Sequence, residues 1–345
     1  MITVTTRKSN FELLRIFCMF TIILSHFSVH GGFDTNLISN PINKYFIQFI
    51  GLGEIGVDCF ILISGYFLVS SNIHFIKLIR LELEILCYSL CIILFAFIFV
   101  PAALTDINIQ SIFLPTLSGQ YWFMSTYMLL YILSPFINFF LNNATQKMIE
   151  LCLILLLAVY IIIPTLTGYT LAGNSNISIF VALYLLGGYV KLYPERLLFF
   201  SKFLQNLSIA GICYLFIFVS IIFFNHVPIR HYTYFMALNS LPLVLCSFSL
   251  FLAAKNTPAF YNNYINTIAS SVLGIYLIHD NPIIRKLLWQ QWLHNYTYSN
   301  SSFLIIYALL AVSGVFIICT FIDQVRIILI EKPIMKFYYT KKHNT

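Results

Sequence analysis

Apolar residues in this chain neither alternate nor mark one helical face; they come in long runs separated by short polar connectors. A window of about 19 residues picks out ten stretches, near 11–30, 46–69, 83–103, 119–140, 148–166, 176–192, 203–224, 234–254, 264–283 and 303–330. Crossing the hydrocarbon takes about 20 residues of helix, and backbone groups in lipid must bond within their own segment. Each stretch is therefore predicted helical. The ninth is the weakest, because it ends in His279 and Asp280. No Pro/Gly/Ser-rich linker, low-complexity run or terminal domain interrupts the pattern. The fold expected is all-α, a polytopic membrane bundle of about ten transmembrane helices, forming one unit over 1–345 without a fused extracytoplasmic domain.

Composition agrees with the pattern. Of 345 residues, 60% are apolar and 9% charged, against about 25% charged in a soluble domain, which excludes a soluble enzyme and a single-anchor protein. The formal charge is +7. With both termini cytoplasmic, Arg7, Lys8, Lys77, Arg80, Lys147, Lys191, Arg196, Lys202, Lys255, Arg326, Lys332, Lys336, Lys341 and Lys342 fall inside. Only Lys44, Arg230, Arg285 and Lys286 fall outside, and Arg15 lies within the first span. That bias is the positive-inside signature. The charge thus reads as topogenic rather than as a nucleic-acid surface, and the chain is expected to be multi-pass in the cytoplasmic membrane. Arg15 and His26 interrupt the first apolar run, and no small-residue cleavage site follows, so the run is read as retained. The eight cysteines lie in or beside spans without CxxC spacing; they read as packing residues, and no metal is expected.

Ionisable groups within a bilayer cost at least about 2.5 kcal/mol each and mark candidate sites. Arg15 and His26 are eleven residues apart, about 20° beyond three turns and about 16 Å along the axis. They share a face that suits a long ligand with its anionic end at Arg15 and a reacting atom at His26. The alternative is that Arg15 snorkels to the headgroups and His26 bonds a neighbouring helix. In the second span, Glu54 and Asp58 stand one turn apart. Asp58 is the candidate to orient an imidazole such as His26, whereas Glu54 reads as an interfacial residue. Ser64-Gly65-Tyr66 follows, a sequence that also suits close helix contact. Lys77 and Arg80 at a helix start suit phosphate groups, or serve only as topogenic charge. In the fourth span, Tyr127 and Tyr131 are one turn apart and present hydroxyls to the bundle, while Tyr121 and Trp122 fit an interfacial aromatic belt. His279-Asp280 suits an extracellular hydroxylated substrate, or is the wet end of a helix. Asp323 and Arg326 are spaced for a local ion pair, read as structural.

Walker A, GxGxxG, HExxH and GxSxG signatures are absent. The chain resembles the acyltransferase 3 family of bacterial integral-membrane acyltransferases. The likeness rests on Asn10-Phe11-Glu12-Leu13-Leu14-Arg15 with ten residues between Arg15 and His26, and on Val57-Asp58-Cys59-Phe60-Ile61-Leu62-Ile63-Ser64-Gly65-Tyr66. It extends to the basic pair after span two, to Tyr121-Trp122-Phe123 with Tyr131 and Pro135, and to Gly274-Ile275-Tyr276-Leu277-Ile278-His279. The resemblance implies transfer of an acyl group, usually acetyl from cytoplasmic acyl-CoA, to hydroxyls of cell-surface or lipid-linked glycans. It makes His26 the general base or transient acyl acceptor and gives Arg15 a role supporting the donor or the histidine. Lys77 and Arg80 would hold CoA phosphates, and Asp58, Ser64, Tyr66 and Trp122 would surround the donor arm. Tyr127, Tyr131 and His279 are the acceptor-side candidates. Where members often carry two arginines in the loop, this chain has Lys77 first. The partners expected are the lipid bilayer, a glycan acceptor and other polysaccharide-biosynthesis membrane proteins. A hydroxyl needs a base near neutral pH, which histidine supplies. The main rival is an exporter or flippase of glycan intermediates without covalent chemistry, resting on the same buried polar residues; a succinyltransferase would differ only in the acyl group.

Overall fold

The computed structural model describes residues 7–71, 75–104, 109–170, 176–334 and 336, so Lys341 and Lys342 of the charge pattern lie outside the described residues. The described residues are 80% helical, with no strand among them. Its helices are α1 (Ser9–Val29), α2 (Pro41–Ile50), α3 (Glu54–Leu68), α4 (Phe75–Phe99), α5 (Ile109–Phe113), α6 (Trp122–Asn143), α7 (Gln146–Leu157) and α8 (Ile163–Thr167). They continue with α9 (Asn176–Leu192), α10 (Phe203–His226), α11 (Leu241–Asn256), α12 (Asn263–Ser270), α13 (Val272–His279), α14 (Pro282–Lys286) and α15 (Leu304–Arg326).

Helices form at all ten apolar stretches, as expected of a polytopic bundle. Eight described stretches are long and apolar enough to cross a membrane, and nine if the pair Asn176–Leu192 and Pro194–Phe200, bent by 97°, counts as one span. The ninth stretch is two eight-residue helices, α12 and α13, broken at Ser271. A break at membrane depth is tolerated where neighbouring groups satisfy the freed polar atoms. Here Gln324 of α15 donates to the Thr267 carbonyl at 3.0 Å and to the Ser270 and Ser271 hydroxyl oxygens at 3.1 and 2.7 Å.

Lipid offers no hydrophobic drive between helices, so small residues and buried hydrogen bonds set the packing. α3 and α9 pack backbone to backbone: a Cβ at Gly65 would collide with the Tyr184 backbone, and one at Gly187 with the Leu62 carbonyl. α1 packs against α2, α3, α11, α12, α13 and α15, which makes it the axis of the bundle. Large apolar side chains such as Ile154, Leu155, Leu310, Ile317 and Phe321 stay exposed, as lipid-facing residues do. All eight cysteines are free.

The start of α1 and the end of α15 share one end of the bundle. Ser9 donates to Asn266 Oδ1 at 2.9 Å, next to the Thr267 carbonyl that Gln324 reaches. At that end Arg326 pairs with Asp323 (2.8 Å), Glu84 (2.9 Å) and Glu331 (3.0 Å), and Tyr88 donates to Asp323 at 2.6 Å. The local Asp323–Arg326 pair read from the sequence is therefore the core of a network joining α4 to α15. Polar contacts such as Asn43 to the Ser299 and Ser301 carbonyls tie the opposite end.

Candidate functional site

A cavity of about 350 Å³ runs beside α1. Its α1 wall is Glu12, Arg15, Met19, Ile22, Ser25 and His26, a set spaced mostly three or four residues apart that keeps one helix face toward the space. Arg15 and His26 thus sit at the two ends of one cavity, about 16 Å apart along the axis. Arg15 pairs with Glu12 at 2.9 Å, and Arg7 joins the lining at that end while donating to the Asn266 carbonyl at 3.2 Å. From α3 come Glu54, Val57, Phe60 and Ser64, and from α6 and α13 the aromatic wall of Trp122, Phe123, Tyr127 and Tyr276. Phe123 stacks on Tyr127 with centroids 5.8 Å apart and meets Tyr276 edge-on at 5.9 Å. Ser64 Oγ stands 3.3 Å from the Tyr127 hydroxyl.

At the far end His26 is gripped by α13. Its Nδ1 lies 3.0 Å from His279 Nε2, and His279 Nδ1 lies 2.6 Å from the Ile275 carbonyl. A carbonyl only accepts, so His279 carries its proton on Nδ1 and offers the lone pair of Nε2. His26 must then donate from Nδ1, which leaves its Nε2 as the basic nitrogen. Asp280 Oδ1 lies 3.5 Å from His26 Nδ1, 3.9 Å from His30 Nε2 and 3.3 Å from Arg285 Nη1. The end of α13 is held by Tyr121, which donates to the Leu277 carbonyl at 2.9 Å and accepts from Asn281 at 2.8 Å. His26, His30 and Asp280 each bring a ligand atom within 4.8 Å of the others, a spacing open to a cation. Arg285 already supplies positive charge to the same carboxylate oxygen, so we assign the group to orienting His26.

Among the sequence candidates, Arg15, His26, Ser64, Trp122 and Tyr127 line the cavity together, and the other six do not. Asp58 is fully buried off the cavity, and neither of its oxygens has a hydrogen-bond partner. The cavity touches only the α3 stripe 54, 57, 60, 64, and Asp58 is turned about 100° from Val57; Asp280 stands beside His26 instead. Tyr66 packs on Phe11 and Phe251, with the Lys191 ammonium 5.2 Å from its ring centre. Lys77 is exposed and Arg80 pairs with Glu331. Leu81, one turn beyond Lys77, lines the cavity, whereas neither member of the pair does. Tyr131 is buried beyond the cavity. His279 is not a wet helix end: it is fully buried and bonded to His26.

Sequence reasoning missed Glu54, His30 and Arg285 as site residues. His30 lies one turn past His26, a signal that was present. Arg285 counted only as a topogenic charge, since nothing local links it to its partners. Two polar atoms of the lining, Glu54 Oε2 and the Tyr276 hydroxyl, are buried without a hydrogen-bond partner.

The fold and site together define an integral-membrane helix bundle with two facing histidines at one end of a long cavity. The family model described as acyltransferase domain (acyltransferase 3) matches residues 8–322, and the chain belongs to that family. It is an acyltransferase with transmembrane helices. Comparison with curated proteins and with solved structures gives no match.

Proposed function

We propose that this acyltransferase moves an acyl group, acetyl in the first instance, from cytoplasmic acyl-CoA to a hydroxyl of a cell-surface or lipid-linked polysaccharide in the bacterial plasma membrane. The observation that carries the reading is the cavity with Arg15 at one end and His26 at the other. The positive-inside bias turns the Arg15 end and both termini toward the cytoplasm. Donor phosphates then meet Arg7, Arg15 and the exposed Lys77, whereas Arg80 is committed to Glu331. The donor arm lies along Met19 and Ile22, between Ser64, Tyr127 and Trp122, and its thioester reaches His26. Succinyl in place of acetyl would change only the acyl group. Other membrane proteins of polysaccharide biosynthesis supply or remove the acceptor.

In the transfer step His26 Nε2 takes the proton of the acceptor hydroxyl as that oxygen attacks the thioester carbonyl. The Tyr276 hydroxyl, unpaired in the lining, donates to the carbonyl oxygen as negative charge develops there. The C–O bond forms, the C–S bond breaks, and the CoA thiolate leaves with the proton from the imidazolium. Asp280 and the His279 lone pair stabilise the imidazolium in between. Acyl transfer from labelled acetyl-CoA by purified protein in liposomes tests this reading.

A further inference from the structure

We propose that Glu54 holds the acceptor by accepting a hydrogen bond from a second hydroxyl, beside the one that reacts at His26. The proposal rests on the acyl-transfer reading of the cavity. Glu54 opens α3 where that helix packs closely on α1. A Cβ at Gly53 would lie 2.7 Å from Ser25 Cβ and 3.0 Å from Ser25 Oγ, so the chain at 53–54 abuts the 25–26 segment. Glu54, Ser25 and His26 all line the same end of the cavity.

The other carboxylates of the site have cationic partners: Glu12 pairs with Arg15 at 2.9 Å, and Asp280 faces Arg285 at 3.3 Å. Glu54 pairs with neither arginine, and its Oε2 is buried without any hydrogen-bond partner. A buried carboxyl left unpaired is costly, and an unsatisfied buried polar group calls for a role. The lining's arginines, Arg7 and Arg15, belong to the opposite end of the cavity, so the missing donor comes from the ligand. A neutral polyol supplies it. One hydroxyl meets His26 Nε2 and a neighbouring hydroxyl meets Glu54, which fixes the register of the acceptor and favours a vicinal diol over a simple alcohol.

The test uses the full-length protein in liposomes, with labelled acetyl-CoA as donor and glycerol or propan-1-ol as acceptor. Release of the CoA thiol and the ester product are both measured. Expected is a kcat/KM ratio of glycerol to propan-1-ol of about tenfold in the wild type, the size of one hydrogen bond. That ratio collapses toward one in Glu54→Ala and in the near-isosteric Glu54→Met, while Glu54→Gln, which retains an accepting oxygen, keeps part of it. Equal ratios in the wild type and the apolar variants, or no diol preference in a wild type that releases CoA, overturn the role of Glu54 alone. A wild type that releases CoA with a polysaccharide acceptor but with neither alcohol overturns the role of Glu54 alone; one that releases none with any acceptor overturns the functional reading with it.

Discussion

His26 Nδ1 and His279 Nε2 stand 3.0 Å apart across 253 residues of chain. Because the Ile275 carbonyl fixes the proton of His279, this contact decides which nitrogen of His26 is basic. The ring that faces the cavity is thereby preset in one tautomer before any substrate arrives.

The first prediction follows from that contact. His279→Ala removes the acceptor for the His26 Nδ1 proton, so the ring loses its fixed tautomer. Steady-state kinetics should show kcat lowered on the order of 100-fold with the KM of the acyl donor unchanged. His279→Gln, whose amide oxygen accepts a hydrogen bond, should recover part of the loss. An equal fall in the two variants would mean that packing, not the tautomer, is what His279 supplies.

Tyr276 has a different role to test. Its hydroxyl lines the cavity unpaired, and losing one donor to a developing oxyanion lowers kcat about 100- to 1000-fold. Tyr276→Phe keeps the ring against Phe123 and should show that loss with thermal stability unchanged. A wild-type kcat in this variant would remove Tyr276 from the reaction.

Acid should act on the fold through His30, which lies one residue past α1. Its burial first, and then the Arg285 guanidinium, hold it down at about 4 from the ordinary 6.5. Between those values the unfolded chain binds a proton that folded His30 does not, so stability falls as pH drops from about 6.5 toward 4. His30→Asn lacks this linkage. Its Tm should fall less than that of the wild type between pH 7 and pH 4.5, as read by thermal unfolding in detergent; parallel falls would assign the acid sensitivity to other groups.

Much of this arrangement is visible along the chain, and what is not has identifiable causes. The apolar runs mark every long helix of the bundle, because length and composition alone decide membrane crossing. The Arg15–His26 face follows from helical arithmetic within a single span and survives folding unchanged. Glu54 and Asp58 exchanged their expected places because one turn of spacing leaves about 40° undecided, and α3 shows the cavity only a narrow stripe. The basic pair went the same way: Arg80 looked free until the segment following α15 brought Glu331 to it. The break at Ser271 depends on Gln324, and the grip on His26 depends on His279 and Asp280, each from a distant segment. Neither contact leaves a local signature in either partner.

The most direct measurement compares wild type with His26→Ala for acyl transfer from labelled acetyl-CoA to a polysaccharide acceptor in liposomes. Wild-type protein should transfer the label, and His26→Ala should lose it by about 100- to 10,000-fold while still folding and binding donor. Full transfer by His26→Ala would contradict the assignment of the base. Movement of glycan without any acyl transfer by the wild type would contradict the acyl-transfer reading itself.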